Sequence, residues 1–297
     1  MRGFFYFFLA FISCTNVSKT LPGSTGRNSE VLFVVDDVLW ENSVDSLVKN
    51  TFGAAIKGVN QIESLFRIFQ VNHNEFNSIL KKHKNIVIIS GGVKKRSQKN
   101  KWATEQFVAQ LNFKNNCQVL SKEILDLRTT FISKEVNSIK MLIKESSQKN
   151  VEKTLSNNFG IESIIPKQYK VIKNDSVLFW ANYDPDRSDE IKNIITFSFV
   201  PKTANLQKEV LFKIDNIFNK YLKGSKEGSF VRIEKEYPPY YFENTYRGLW
   251  KLEHGFMGGA FVAKTYFLKN RVVVNVGLVF APHSSKRKYI KEFEAIL

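Results

Sequence analysis

Two runs near the C-terminus, 260–268 and 271–281, constrain the fold more than any other part of the chain. In the second run Val272, Val274, Val276, Leu278 and Phe280 alternate with their neighbours. That is the period-two mark of a strand offering one face to a core. Only Lys269-Asn270 separates the runs, and Asn tolerates the left-handed conformation a tight hairpin turn requires. An antiparallel sheet in the last third follows. Residues 169–172 and 177–182 read as a second hairpin, and 194–200 as a further strand. Leu206, Val210, Leu211, Ile214, Ile217, Phe218, Tyr221 and Leu222 repeat at helical spacing. A helix from Ser285, with Tyr289, Ile290, Phe293, Ile296 and Leu297 on its apolar stripe, closes the chain onto the sheet.

The first half has a different rhythm. Val31-Leu32-Phe33-Val34-Val35 is continuously apolar, as in a strand buried on both faces. Asp36-Asp37 ends it, and Trp40, Val44, Leu47, Val48 and Phe52 mark a helix that stops near Gly53. Residues 66–71 and 85–89 read as strands, with a short helix at Phe76, Ile79 and Leu80 between them. This β-α-β-α-β order predicts helices covering a sheet. A basic loop follows over 94–101, then a strand near 106–111. Residues 120–159 read as two or three surface helices. The predicted class is α+β, in two α/β-type domains over 28–158 and 159–297. The second is an antiparallel sheet flanked by helices.

The N-terminus carries a different signal. Arg2 precedes nine apolar residues, Phe4 to Ile12. As a helix they reach only about 14 Å, roughly half a hydrocarbon core, which suits a signal-peptide h-region rather than a span. Ser13-Cys14 directly after it resembles the lipobox of bacterial lipoproteins, although Phe11 stands where such motifs usually have leucine. The resemblance implies diacylglycerol on Cys14 and removal of the signal peptide, 1–13. Residues 14–27, rich in Ser, Thr, Gly, Pro and Asn, read as a lipidated flexible tether. No later segment is apolar enough to span, so the body is expected to be soluble.

Lys and Arg number 44 against 28 Asp and Glu, a net charge of +16. Nucleic acid, an anionic membrane or a plain solvated surface would each suit such an excess. Along the sequence the basic residues are scattered rather than gathered in a stripe, which favours the solvated surface. With Cys14 lipidated, Cys117 has no partner and reads as a packed, inert thiol.

Several stretches carry recognisable wording. They are Val35-Asp36-Asp37-Val38-Leu39-Trp40, Ile164-Ile165-Pro166-Lys167-Gln168-Tyr169 and Pro238-Pro239, then Tyr246-Arg247-Gly248-Leu249-Trp250-Lys251, Phe256-Met257-Gly258-Gly259-Ala260-Phe261 and Val279-Phe280-Ala281-Pro282. Together they resemble an uncharacterised bacterial lipoprotein family, the domain-of-unknown-function family DUF4837. The resemblance implies export and a lipid anchor, and it implies no activity. More loosely, the second half is similar to the Mog1 and PsbP type of α-β-α fold, an analogy that carries no function.

The candidate chemistry is sparse. Asp36 and Asp37 stand just past a buried strand, where ligand sites lie in open α/β sheets, and they form a possible carboxylate site. Asp is also a good helix N-cap, and a helix begins there. Ser90-Gly91-Gly92 lacks the rest of a phosphate loop and reads as a turn. His73, His83, His254 and His283 show no metal-ligand spacing, so no metal is expected. Ser46-x-x-Lys49 and Ser285-x-x-Lys288 lack the companion motifs of a serine-lysine acyltransferase. A possible ligand groove is formed by Arg247, Trp250, Met257, Gly258 and Gly259, where glycines between aromatics permit close backbone approach. The competing reading of these residues is a bulged strand pair with Trp250 in the core.

The sequence therefore points to an exported, lipid-anchored protein of the cell envelope, facing the periplasm, that binds a ligand or partner without chemistry. Its partners would be the membrane, through the lipid on Cys14, and an envelope protein or ligand. No cofactor and no nucleic acid are expected. The alternative is a hydrolase-like envelope enzyme using Asp36, Asp37 and Arg247 across an inter-domain cleft.

Overall fold

The computed structural model describes residues 20–60, 62–114 and 116–297. The segment expected as a signal peptide, 1–13, and Cys14 lie outside them. The chain is α+β and builds two sheets.

The first sheet has five strands: β1 Glu30–Val34, β2 Arg67–Val71, β3 Asn85–Ser90, β4 Arg96–Lys99 and β5 Phe107–Asn112, in the order β2-β1-β3-β5-β4. All pairings are parallel except β4 with β5. Val31 and Phe33 enter one core and Leu32 and Val34 the other, so β1 is buried on both faces. The exposed edge strand β4 lies inside the basic stretch expected as a loop. Its pattern, Arg-Ser-Gln-Lys, has no apolar residue to announce a strand. After β1 the chain winds through α1 Asp37–Leu39, a π-helical stretch Trp40–Val44 and α2 Asp45–Thr51.

The surface helices expected over 120–159 are one long helix and a short one, α3 Cys117–Glu145 and α4 Lys149–Phe159. No Gly or Pro interrupts the 29 residues of α3, which extend about 43 Å. Its first half packs Leu120, Ile124 and Phe131 on the first sheet, and its second half packs Val136, Ile139 and Ile143 on the core of the second. One helix thus serves two cores. Cys117 opens it and is exposed, not packed as expected: Leu120, three residues on, is the first residue of α3 to reach the core.

The second sheet is antiparallel and eight-stranded. Its path is β10 Tyr240–Phe242, β11 Thr245–Glu253, β12 Gly258–Leu268, β13 Arg271–Phe280, β8 Ile191–Phe199, β7 Leu178–Tyr183 and β6 Lys170–Asn174, with β9 Phe230–Ile233 beside β11. Helix α5 Leu206–Tyr221 covers one face, where Val272, Val274, Val276 and Leu278 point. Helices α4 and α6 Lys286–Ile296 cover the other with Leu155, Phe159, Tyr289 and Phe293. Phe293 sits so low that a Cβ on Gly277 would lie 2.2 Å from its ring. Helix-sheet contact is that close only because position 277 has no side chain.

Residues expected within the tether are partly bound to the body. Thr25 donates its N–H to the Lys82 carbonyl at 2.9 Å and accepts from the Lys84 N–H at 2.7 Å, while Pro22 O accepts from Thr104 N at 2.8 Å. A loop between α2 and β2 reaches across to the second unit. There Glu63 accepts from the Lys286 and Arg287 N–H groups at 2.7 and 2.9 Å and from the Ser285 hydroxyl. One unit thereby caps a helix of the other.

Candidate functional site

Strands β11 and β12 place Trp250 opposite Gly259 and Lys251 opposite Gly258. A Cβ at Gly259 would fall 1.9 Å from the Val279 carbonyl oxygen. With none there, the Trp250 Nε1–H donates to that oxygen at 3.1 Å. Trp250 is 5 % exposed and packs into the core beneath α5. The glycines therefore serve a buried indole, and they also border open space. Trp250, Met257, Gly258 and Gly259 line a cavity of about 390 Å³.

Other parts of the chain complete its wall: Tyr237 after β9, Phe256 in the β11–β12 turn, Pro282 before α6, and Asn60 from the loop of the first unit. Phe256 is 93 % exposed and Tyr237 about half. Both rings stand free at the mouth. The charged lining is Glu234, paired with Lys251 at 3.3 Å, and Lys286. A backbone N–H from Glu236 chiefly holds Glu234 below the usual carboxylate range, with Lys251 contributing. Burial pushes Lys286 below the ordinary lysine value, opposed by Glu63. Its Nζ donates to the carbonyls of Ala281 and Ser284, so its protons are already directed. An aromatic mouth over an ion pair and a lysine can seat a ligand and orient it. Among the described residues its lining sets no nucleophile beside a free base.

Arg247 does not line this cavity. It lies three residues from Trp250 on one strand, and side chains at odd separation point to opposite faces. Its guanidinium engages Glu294 of α6 through Nε at 2.6 Å and Nη2 at 2.5 Å. Both nitrogens meet the same oxygen, Oε1, so the guanidinium is committed to a carboxylate of this chain.

Asp36 and Asp37 lie at the C-terminal edge of the first sheet. Asp36 caps the helical run, accepting from the Val38 N–H at 3.1 Å. Asp37 accepts from Asn72 and Gln70 side chains, each at 2.9 Å, and those bonds, Asn72 foremost, lower its pKa. Nearby, the turn after β3 runs into Lys94 and Lys95 beside a cavity of about 480 Å³, where Lys95 pairs with Glu123 at 3.0 Å. Lys49 is bonded to Asp45 at 2.8 Å rather than to Ser46. His73 bonds the Ile89 carbonyl and His83 that of Asn85. Burial holds His83 below the ordinary histidine value. Among the described residues no group of three or more His, Cys, Asp or Glu could hold a metal ion.

Sequence reasoning missed Asn60, Glu234, Tyr237 and Lys286 as neighbours of the groove. Only the adjacent Pro238-Pro239 hinted at a structured turn beside Tyr237. Asn60 arrives through the contact between the two units, and Glu234 and Lys286 through the folding of β9 and α6 onto β11 within the second.

Two family models match the chain. One, DUF4837, a domain of unknown function, spans residues 147–297 and so the whole second sheet. The other, DUF8532, also a domain of unknown function, spans residues 24–155 and so the whole first sheet. Among curated proteins none matches.

Proposed function

We propose, from the premise that this chain belongs to the DUF4837 family, that it is an exported, lipid-anchored envelope protein that binds a partner or ligand without transforming it. The observation that carries the binding half is the groove at the β11–β12 turn. Four of the residues singled out from the sequence border it, and a nearly fully exposed Phe256 stands at its mouth. An exposed large aromatic beside a preformed cavity is the kind of anchor that binding surfaces use. The anchored half rests on the apolar run 4–12 and the Ser13-Cys14 junction. A periplasm-facing body is the matching location, with the membrane as partner through the lipid on Cys14. Among the described residues no helix is long and apolar enough to cross a membrane.

Cross-linking and pull-down in the native envelope, with wild type and Phe256→Ser, test the binding half. A reproducible partner or ligand recovered by wild type and lost by the variant is expected. Recovery of none, or equal recovery by both, overturns it. Metabolic lipid labelling with mass spectrometry tests the anchor. A retained Met1, or an unacylated Cys14 in a cytosolic extract, removes that half.

The hydrolase-like alternative draws less support. Asp36 caps a helix, Asp37 is held by two amides, and Arg247 is paired with Glu294. No nucleic-acid partner is proposed.

A further inference from the structure

The basic residues that look scattered in the sequence are gathered by the fold. Lys81, Lys82 and Lys84 precede β3, Lys99 ends β4, Lys101 precedes β5, and Lys134 lies far down α3. Parallel pairing of β3 with β5 brings their N-terminal ends together. Antiparallel pairing sets Lys99 opposite Phe107 at the same end. Gln106 ties the two turns, its side-chain amide donating to the Lys81 and His83 carbonyls at 2.6 and 2.8 Å. Lys134 reaches the same end and donates to the Glu105 carbonyl at 3.2 Å.

The charges feel one another. Burial first, and then Lys84 and Lys99, push Lys134 down to about 8, against the opposing pull of Glu105 and Glu135. Burial, Arg96 and Lys81 likewise lower Lys101. The nearby acids are few. Glu105 is exposed and 3.8 Å from Lys84, while Glu30 is engaged by Arg67. The edge is strongly positive.

Two more observations give the edge a direction. Residues 20–25 join the body here, through the bonds of Pro22 and Thr25 to Thr104, Lys82 and Lys84. The eight residue-to-residue steps from Cys14 to Pro22 span at most about 28 Å even when fully extended. Apolar groups also rim the edge. Ile79 is 70 % exposed, Leu21 is exposed, and Lys101 Nζ lies 4.1 Å from the centroid of a half-buried Trp102. A tryptophan under a lysine, with free aliphatic side chains beside it, suits the headgroup layer of a bilayer.

We propose that this lysine-rich end of the first sheet rests on an anionic phospholipid surface, so that headgroup contact and the lipid on Cys14 together hold and orient the body. The orientation rests on the anchored reading above, whereas the headgroup contact stands or falls by itself. Acyl chains and a basic patch are complementary membrane signals. The groove around Trp250 is lined mainly by the second unit and shares none of these lysines.

The full chain is bound to vesicles of phosphatidylcholine alone and of phosphatidylcholine with phosphatidylglycerol, and the ratio of the two affinities is read. Any acyl contribution is common to both vesicles and cancels. Wild type is expected to favour the anionic vesicles. A triple Lys82→Gln, Lys99→Gln, Lys101→Gln variant is expected to lose that preference by on the order of a hundredfold, about fivefold per lysine. A control triple at exposed lysines of the second unit, Lys170→Gln, Lys208→Gln and Lys220→Gln, removes the same charge and is expected to keep it. No preference in wild type, or equal loss in both triples, overturns the proposal. Mass spectrometry of Cys14 on the same preparation separates the two readings. An unacylated chain that keeps the lysine-dependent ratio defeats the anchor alone, and an acylated chain without it defeats the headgroup contact alone.

Discussion

Lys291 of α6 and Glu135 of α3 meet at 2.5 Å, both nearly sealed from solvent, where the two units join. Ser29, just before β1, closes the triangle. Its hydroxyl accepts from Lys291 at 2.8 Å and donates to Glu135 at 2.9 Å. The ammonium also lies 4.4 Å from the centroid of the Phe66 ring. Burial pushes the lysine below its ordinary value, and Glu135 pulls back. Three segments far apart in the chain are held at one point.

A buried pair of this kind contributes more to specifying the junction than to net stability. Lys291→Met alone leaves Glu135 charged and unpaired, and is expected to cost about 3–5 kcal/mol. Lys291→Met with Glu135→Leu is expected to recover most of that loss. Chemical denaturation of the two singles and the double measures the coupling. Additive losses in the double would show that the pair is not a unit.

The second contact between the units is sensitive to acid. Burial raises the pKa of Glu63, but the bonds from Ser285, Arg287 and Lys286 outweigh it, so the folded value lies below the ordinary 4.5. A depressed folded pKa contributes stability that is fully present above the unfolded value and is lost as pH falls through the folded one. Melting temperature is therefore expected to drop more steeply below about pH 4.5 in wild type than in Glu63→Gln. Parallel curves would mean that the cap contributes nothing.

Gly277 is expected to tolerate no side chain. In Gly277→Ala the new methyl meets the Phe293 ring, and α6 must lift from the sheet at a cost of about 1–3 kcal/mol. Gly277→Ala combined with Phe293→Leu relieves the clash and should recover part of it. If urea melts place Gly277→Ala within error of wild type, the helix is not seated as closely as described.

The parts of the fold legible in the sequence were those with strong local periodicity. The 271–280 strand, the α5 stripe and the doubly buried β1 each state their environment through spacing alone. Edge strands β4, β9 and β10 were not legible, because short segments with one open side need no apolar alternation. Helix α3 looked like a chain of surface helices because its apolar stripe changes target midway, from the first sheet to the core of the second. The groove was legible from one side only. Glycines beside Trp250 announce close approach, whereas Asn60, Glu234 and Lys286 join through tertiary contact. Arg247 falls outside the groove because strand parity turns it to the face opposite Trp250. The basic end was invisible for a topological reason: residues 81, 99, 101 and 134 become neighbours only after parallel strands align their starts.

The carboxylates at the end of β1 separate binding from catalysis. Asp36→Ala removes an N-cap and is expected to cost about 1 kcal/mol, within the usual range for such caps. Asp37→Asn keeps a side-chain oxygen that can accept from one of Gln70 and Asn72 while surrendering the charge those amides stabilise. A structural Asp37 should therefore lose function only in proportion to lost folded protein. A catalytic one should lose function at unchanged melting temperature. We expect the former, because both oxygens of Asp37 are occupied by neighbours. Complementation of a deletion strain, with folded protein quantified beside the melting curve, decides it. A fully folded Asp37→Asn protein that fails to complement would shift the balance from a binding protein to an enzyme.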